Sequence, residues 1–151
     1  MLRQCKIDGL GKKRLIVRSP QPKSTVTLRT FFVEDNATIR HNLIETLKEL
    51  TDVEPLGFAE TEAEGVQWLT QADHAWDLAI VDLFLRQGSG LGVVAACQIR
   101  KPGQRVIVLS NYATPDVRVR CEQLGVDAVF DKSNEIDDLL DYCIQLNYSG
   151  T

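Results

Sequence analysis

The chain has 151 residues, 44% hydrophobic and 25% charged, so one domain with its own core is expected. No apolar run approaches the ~20 residues of a membrane span, and Leu15-Ile16-Val17, the longest near the N-terminus, is too short for a signal peptide. Residues 1–26 carry seven basic residues and one acidic residue, whereas residues 27–151 carry ten basic and twenty acidic ones. This acidic body argues against nucleic-acid binding by the globular part.

The N-terminal segment, residues 1–26, is predicted to be a basic arm that precedes a globular domain over residues 27–148. It shows little helical periodicity, and Ser19-Pro20-Gln21-Pro22 is typical of a linker. Asp8-Gly9 lies between two short alternating segments, a pattern typical of a small hairpin. The arm either contacts anionic partners or is a solvated tail, and the second interpretation is favoured.

From Thr27 onward the hydrophobic pattern alternates five times between strand and helix. Short apolar runs predict strands over Thr27–Val33, Val53–Ala59, Leu78–Val81, Val106–Leu109 and Val126–Phe130. Periodicity and capping residues predict helices over Ala37–Leu50 after Asn36, from the capping box at Thr61, over Leu91–Arg100, from Thr114-Pro115, and after Ser133. Right-handed crossovers between such units make a doubly wound parallel (βα)5 sheet with helices on both faces.

Two details of packing follow from single residues. The buried face of the first helix is expected to carry four apolar residues, Ile39, Leu43, Leu47 and Leu50. Pro55 cannot donate to a ladder, so the second strand belongs at a sheet edge. The strand order 2-1-3-4-5 satisfies this requirement and places the switch point between the first and third strands.

Reactive side chains are predicted to meet at one edge of this sheet. Glu34-Asp35 follows the first strand, Asp82 the third, Ser110 the fourth, and Lys132 lies just beyond the fifth. Ligands of open α/β sheets bind outside the carboxyl ends of the strands. Three crowded carboxylates repel and raise one or more of their pKa values unless a hard cation such as Mg²⁺ joins them. Mg²⁺ and the lysine would balance the three negative charges, so that Asp82 could attack a phosphoryl group.

These residues resemble the receiver domains of two-component response regulators over roughly Thr27 to Asn147. The matching motifs, in order, are Glu34-Asp35, Asp82-Leu83-Phe84-Leu85 with Gly90 eight residues after the aspartate, Ser110, and Lys132 within Phe130-Asp131-Lys132-Ser133. The resemblance implies the flavodoxin-like receiver fold, a doubly wound parallel five-stranded α/β sheet in the order 2-1-3-4-5.

The resemblance also implies a role for each side chain. Asp82 would be the phosphoacceptor, and Ser110 and Lys132 would bind the phosphoryl group. The Mg²⁺ site would comprise Asp35, Asp82, the backbone carbonyl of Phe84, and Glu34 acting through a water. Arg118 and Arg120 of the fourth helix are expected on a solvated face, which in the family often binds partners.

Three positions depart from the family's pattern. Arg86 stands where proline is usual, Asn111 where a small residue is common, and Val129 where many receivers carry a Tyr or Phe that moves on activation. Tyr112 is therefore expected to be the moving aromatic. Phe84 and Tyr112, two residues after the acceptor and after the hydroxyl, are also expected to shield the phosphoryl group from water.

The expected function is a phosphoacceptor that signals through protein contacts and does not turn over an external substrate. Its expected partners are a sensor histidine kinase or a histidine phosphotransfer protein, a downstream protein target, and a second copy bound through the fourth helix, fifth strand and fifth helix. The alternative is an adaptor that keeps the receiver fold without phosphorylation, disfavoured because all five site residues are present. A flavodoxin-like cofactor binder is disfavoured because Asn36-Ala37-Thr38 lacks a phosphate-cradling loop.

The cysteines bear on the compartment. Four are present without CxxC spacing, and three lie on apolar helix faces, at Cys97, Cys121 and Cys143. This pattern favours core thiols in a reducing cytoplasm over cysteines that bind a metal or form disulfides. No contact with a membrane is expected. The sequence after the last helix leaves no room for an output domain, which is expected either of a stand-alone receiver or of a piece of a longer regulator.

Overall fold

The computed structural model describes the backbone of residues 3–7, 13–17 and 25–149, and the side chains of residues 25–149. The strands are β1 (Arg3–Ile7), β2 (Lys13–Val17), β3 (Leu28–Val33), β4 (Val53–Ala59), β5 (Leu78–Val81), β6 (Arg105–Ser110) and β7 (Ala128–Asp131). The helices are α1 (Ala37–Leu50), α2 (Glu62–Leu69), α3 (Gly90–Ala96), α4 (Pro115–Gln123) and α5 (Ile136–Ser149). Within these ranges no helix has the length and apolar character needed to cross a bilayer.

Strands β3 to β7 form a parallel sheet in the order β4-β3-β5-β6-β7. Counted from β3, this is the predicted order 2-1-3-4-5, so the fold prediction is confirmed. Pro55 lies on the edge strand β4, and the register shifts beside it, between Thr30 and Phe31. The central strand β5 is buried along its whole length, as a parallel strand covered on both faces must be.

Two hydrophobic cores lie on opposite faces of the sheet because neighbouring strand residues point in opposite directions. Phe31 belongs to the core under α2, α3 and α4, where its ring stacks on Trp68 at a centroid distance of 4.1 Å. Phe32 belongs to the core under α1 and α5. The predicted core thiols are all buried, at Cys97, Cys121 and Cys143.

The N-terminal strands β1 and β2 pair antiparallel, from Arg3 opposite Val17 to Ile7 opposite Lys13. The predicted hairpin pairing is therefore present, while Asp8-Gly9 and the proline-containing linker lie outside the described residues. The segment just before β3 is held by α5, because Asn147 Nδ2 donates to the Val26 carbonyl at 2.7 Å.

The buried face of α1 is narrower than predicted. Leu43 and Leu47 are buried, but Ile39 and Leu50 are 39% and 54% exposed. The residue that completes the buried face is Arg40, three residues before Leu43. The prediction was wrong because it counted only apolar residues, whereas the buried guanidinium is satisfied by partners outside α1.

Helix α3 ends at Ala96, four residues before the predicted end at Arg100. The Arg100 side chain donates to the carbonyl oxygens of Cys97 at 2.9 Å and Gln104 at 3.0 Å. Because its guanidinium takes the Cys97 carbonyl, which a continuing helix would use for its own backbone, the chain turns away there.

Ser133 does not cap the last helix, which begins three residues later at Ile136. Its backbone N–H and its hydroxyl both donate to Asp131 Oδ1, each at 2.7 Å. Asp131 thus draws Ser133 into a local turn, so the capping prediction was wrong.

Candidate functional site

A cleft of about 240 Å³ opens at the carboxyl ends of β3, β5 and β6. Its lining includes Glu34, Asp35, Asp82 and Lys132, four of the residues predicted to meet there. One carboxylate oxygen from each of the three acids lies within 4.8 Å of the others. Glu34 and Asp82 are buried, and Asp35 is half-buried. This geometry concentrates negative charge in a small, largely desolvated volume.

Lys132 supplies the positive charge at the base of this cluster. Its Nζ donates to Glu34 Oε1 at 2.5 Å and to Asp82 Oδ2 at 3.1 Å. Burial works against the Lys132 ammonium, but the bond to Glu34 and the charge of Asp82 outweigh it and raise the lysine's pKa. Burial also raises the pKa of Glu34 beyond what its contact with Lys132 takes away. The predicted rise in pKa therefore occurs at Glu34, with burial as its main cause and the negative charge of Asp82 as a smaller one.

The β5–α3 loop, residues 82–89, holds the other acidic oxygens. The backbone N–H of Phe84 donates to Asp82 Oδ1 at 3.2 Å, and that of Arg86 donates to Asp35 Oδ2 at 2.7 Å. The end of the loop is tight because a Cβ on Gly90 would fall 2.1 Å from the Asp82 carbonyl oxygen. Only glycine at this position lets α3 begin against the backbone of the central carboxylate.

Ser110 ends β6 as predicted and is fully buried. Its Oγ accepts a hydrogen bond from the Tyr112 backbone N–H at 3.0 Å, and its carbonyl accepts one from Lys132 N at 2.9 Å. The hydroxyl is thus held by its own loop, one strand away from Asp82, while the backbone connects it to the lysine's loop.

Arg40 is a residue near the site that the sequence reasoning missed. Its Nη1 donates to the Glu34 carbonyl at 2.7 Å and to Glu60 Oε2 at 3.2 Å, and its guanidinium lies 3.7 Å from the ring centroid of Phe58. The burial of Arg40 could have been predicted from helical spacing. Arg40 lies three positions before Leu43 and seven before Leu47, so it falls on the same buried face of α1. Arg40 fixes the backbone that carries the acidic pair.

Arg118 is only partly the solvated side chain that was predicted, because it is 38% exposed and its guanidinium is bound to other segments. Its guanidinium donates to the Ala113 carbonyl at 3.0 Å, the Val129 carbonyl at 3.1 Å and Glu135 Oε1 at 2.6 Å. It therefore connects the loop after Ser110 with β7 and with the segment before α5. Arg120 is exposed, as predicted.

Comparison with known protein families gives a match over most of the domain. The model of the response regulator receiver domain matches residues 30–143. This range contains the whole parallel sheet except Leu28 and Arg29 at the start of β3, and it contains every residue of the acidic cleft.

Two curated relatives match parts of the chain. Acid tolerance regulatory protein ActR from Rhizobium meliloti (strain 1021) is 37% identical over 67 residues, which cover 44% of this chain and 34% of that protein. Photosynthetic apparatus regulatory protein RegA from Rhodobacter capsulatus is 33% identical over 61 residues, which cover 40% of this chain and 33% of that protein. The chain thus spans about a third of the length of the curated relatives it matches.

Solved structures share the fold at low sequence identity. A DNA-binding response regulator of the LuxR family from Staphylococcus aureus aligns with a TM-score of 0.69 and 19% identity, over 80% of this chain and 98% of that one. The receiver domain of Francisella response regulator 1452 aligns with a TM-score of 0.70 and 15% identity, over 83% and 100%. The phosphorylated cyanobacterial phytochrome response regulator RcpA aligns with a TM-score of 0.65 and 23% identity, over 83% and 94%.

The family match, the strand order and the acidic cleft at the switch point agree with one another. Proteins of this class are phosphoacceptors of two-component signalling rather than enzymes that turn over a separate substrate. The chain belongs to the family of response regulator receiver domains.

Proposed function

We propose that this chain accepts a phosphoryl group on Asp82 in a reaction that depends on Mg²⁺. The observation that carries the proposal is the convergence of three carboxylates with a single lysine in the cleft. Asp82 is central, because one of its oxygens contacts Lys132 and the other contacts the backbone N–H of Phe84. An adaptor without phosphorylation would have no need to bury this arrangement.

The donor set of the cleft fits Mg²⁺. This ion prefers carboxylate oxygens, keeps several waters and commonly bridges to phosphate oxygens. Asp35, Asp82 and the carbonyl of Phe84 would hold it, with Glu34 acting through a water. When bound, the cation would offset the negative charge of an incoming phosphoryl group.

The protein's own residues account for the remaining chemistry. Asp82 is held by two hydrogen bonds, so its carboxylate is oriented before a donor arrives. One of its oxygens bonds to phosphorus while the bond from phosphorus to the donor breaks, and the donor leaves with that electron pair. Lys132 then pairs with a phosphoryl oxygen, and the Ser110 hydroxyl turns from its loop amide toward another.

A groove beside the cleft supports a protein as the phosphoryl donor. It has a volume of about 350 Å³ between α1 and α5, and its lining includes Ile39, Leu43, Ile136 and Lys132. Apolar side chains therefore lie directly next to the lysine of the site. A sensor histidine kinase or a histidine phosphotransfer protein is the partner class that needs such a surface, and the surface of α4, β7 and α5 would contact a downstream protein or a second copy.

The proposal is tested by incubating the protein with Mg²⁺ and acetyl phosphate and measuring its intact mass. A single added phosphate that base removes is expected, because acyl phosphates are labile to base. Chelation of the metal should prevent the addition, and Asp82→Asn should abolish it.

The matched control is Glu54→Gln, which removes an equal charge from an exposed position on the edge strand β4. This variant should be phosphorylated like the wild type. A base-labile phosphate that persists in Asp82→Asn would place the nucleophile at another residue, and metal-independent phosphorylation would remove Mg²⁺ from the proposal.

A further inference from the structure

Asp35 is held by a backbone donor from a distant loop. Arg86, 51 residues later in the chain, donates its N–H to Asp35 Oδ2 at 2.7 Å. This bond connects the segment after β3 with the loop after β5, which also carries Phe84. It takes one oxygen of the carboxylate and leaves the other for a further partner.

The loop that presents this amide is itself held in place. Phe84 and Ser89 form an antiparallel bridge across it, and Gly90 N donates to the Leu83 carbonyl at 2.9 Å. From outside the loop, Glu62 Oε1 of α2 accepts the Ser89 N–H at 2.8 Å. The Arg86 amide is therefore delivered to Asp35 by a closed loop and not by a free one.

The side chain of Arg86 contributes much less than its amide. It is 79% exposed, and its Nε lies 3.8 Å from Asp35 Oδ2. An ion pair of this length that involves a mostly exposed guanidinium is weak and is screened by salt. The amide bond, by contrast, is short and ends on a side chain that is mostly covered.

We infer that Arg86 is a positioning residue for the metal site, acting through its backbone N–H on Asp35. The inference rests on the proposed function, since it takes Asp35 as a ligand of Mg²⁺. Hydrogen bonds to a ligating carboxylate orient it, and their loss typically weakens metal binding about 10- to 100-fold. Because the same loop carries the Phe84 carbonyl, the amide aligns two proposed ligands together.

The test compares two substitutions that both remove the guanidinium. Arg86→Ala keeps the backbone N–H, whereas Arg86→Pro removes it. Titration calorimetry with Mg²⁺ should give Arg86→Ala an affinity within about twofold of the wild type, because its amide remains. Arg86→Pro should bind about tenfold or more weakly than Arg86→Ala. Equal affinities of the two variants, or tighter binding by Arg86→Pro, would overturn the inference.

Asp35→Asn separates this inference from the proposed function. If Asp35→Asn binds Mg²⁺ like the wild type, the proposed metal site is wrong. If it binds weakly while the alanine and proline variants match, only the role of Arg86 fails.

A second measurement does not need a folded proline variant. In the wild type, the Arg86 amide should exchange with solvent more slowly than the exposed amides of Gln87 and Gly88, and Asp35→Ala should remove that protection. An Arg86 amide that exchanges like its two neighbours in the wild type contradicts the bond and the inference.

Discussion

The rings of Phe84 and Tyr112 pack edge to face, with centroids 5.0 Å apart and an interplanar angle of 73°. Each follows a site residue by two positions and is connected to it, since Phe84 N donates to Asp82 Oδ1 and Tyr112 N donates to Ser110 Oγ. Both side chains line the acidic cleft and are more than half exposed. An edge-to-face pair contributes about 0.5–1.5 kcal/mol beyond its buried area, which favours the paired arrangement even in contact with water.

This pair is expected to slow hydrolysis of a phosphorylated Asp82. Because both rings line the cleft that an attacking water must enter, their removal should admit water and shorten the lifetime of the acyl phosphate. The double variant Phe84→Ala, Tyr112→Ala should lose phosphate several-fold faster than the wild type, as measured from intact mass after the donor is removed. Tyr148→Ala, at a partly exposed tyrosine of α5, is the matched control and should not change the rate. An unchanged rate in the double variant would remove the shielding role.

Because Val129 stands where many receivers carry the aromatic residue that moves on activation, Tyr112 is the expected moving aromatic in this chain. Phe130 points to the face of the sheet opposite to Val129, where the centroid of its ring lies 5.8 Å from that of Tyr142. If Ser110 turns toward a phosphoryl group, the Tyr112 N–H loses its acceptor, and its ring should leave Phe84. The loop motion should reach α4 through Arg118.

Nuclear magnetic resonance spectra with Mg²⁺ and the phosphate mimic beryllofluoride would measure this switch. The Tyr112 ring resonances should shift together with the backbone of α4, while the Phe130 ring should stay nearly constant. A difference of a few kcal/mol between the two states is enough for such a population shift. Fixed Tyr112 resonances beside a shifting α4 would indicate a route through the backbone alone.

The sheet and the convergence of the acidic residues could be predicted because both depend on local patterns. Asp82 follows four consecutive apolar residues, and a buried parallel strand can deliver its next side chain only to the carboxyl edge. The roles of Arg40, Arg86 and Arg118 could not be predicted in this way. Arg40 and Arg118 donate to the backbone carbonyls of Glu34 and Val129. Arg86 acts through its own backbone N–H on the Asp35 side chain. A backbone carbonyl or amide leaves no mark on residue type. The early end of α3 has the same origin.

The glycines around α3 should respond differently to alanine. A Cβ at Gly90 would meet backbone, at 2.1 Å from the Asp82 carbonyl oxygen and 2.6 Å from Leu83 Cα. A Cβ at Gly92 would meet only the end of the Glu62 side chain, at 2.2 Å from Oε2. Gly90→Ala should therefore destabilise the fold by about 1–3 kcal/mol or more, because the backbone must shift.

The Gly92 effect should depend on Glu62. In the Glu62→Ala background the contact is gone, so Gly92→Ala should stabilise the protein by up to about 1 kcal/mol through helix propensity. Gly90→Ala should remain destabilising in the same background. Urea unfolding of Gly90→Ala and Gly92→Ala, each in the wild-type and in the Glu62→Ala background, would measure this. Equal changes in stability for the two glycines would contradict the assigned contacts.

Asp77 should make the stability of the sheet depend on pH in the acid range. Burial acts to raise the pKa of Asp77, but hydrogen bonds from Arg29 outweigh burial and lower this pKa. Arg29 donates to the carboxylate from its backbone N at 2.8 Å, from Nε at 2.9 Å and from Nη2 at 3.1 Å. A carboxyl whose pKa is lower in the folded state stabilises that state above its unfolded pKa of about 3.9, and this contribution disappears as the pH falls through the folded value.

The variants Asp77→Asn and Arg29→Gln isolate this contribution. All other carboxyl groups are the same in the variants and in the wild type, so their effects on stability cancel in the comparison. At pH 6 each variant should be less stable than the wild type by no more than about 1 kcal/mol, because the Arg29 side chain is nearly half exposed. Urea unfolding midpoints measured from pH 6 to pH 3 should show the gap between Asp77→Asn and the wild type narrowing only below about pH 4. A gap that stays constant over this range would mean that Asp77 has the same pKa in the folded and unfolded chain, and that the contacts with Arg29 do not favour its charged form.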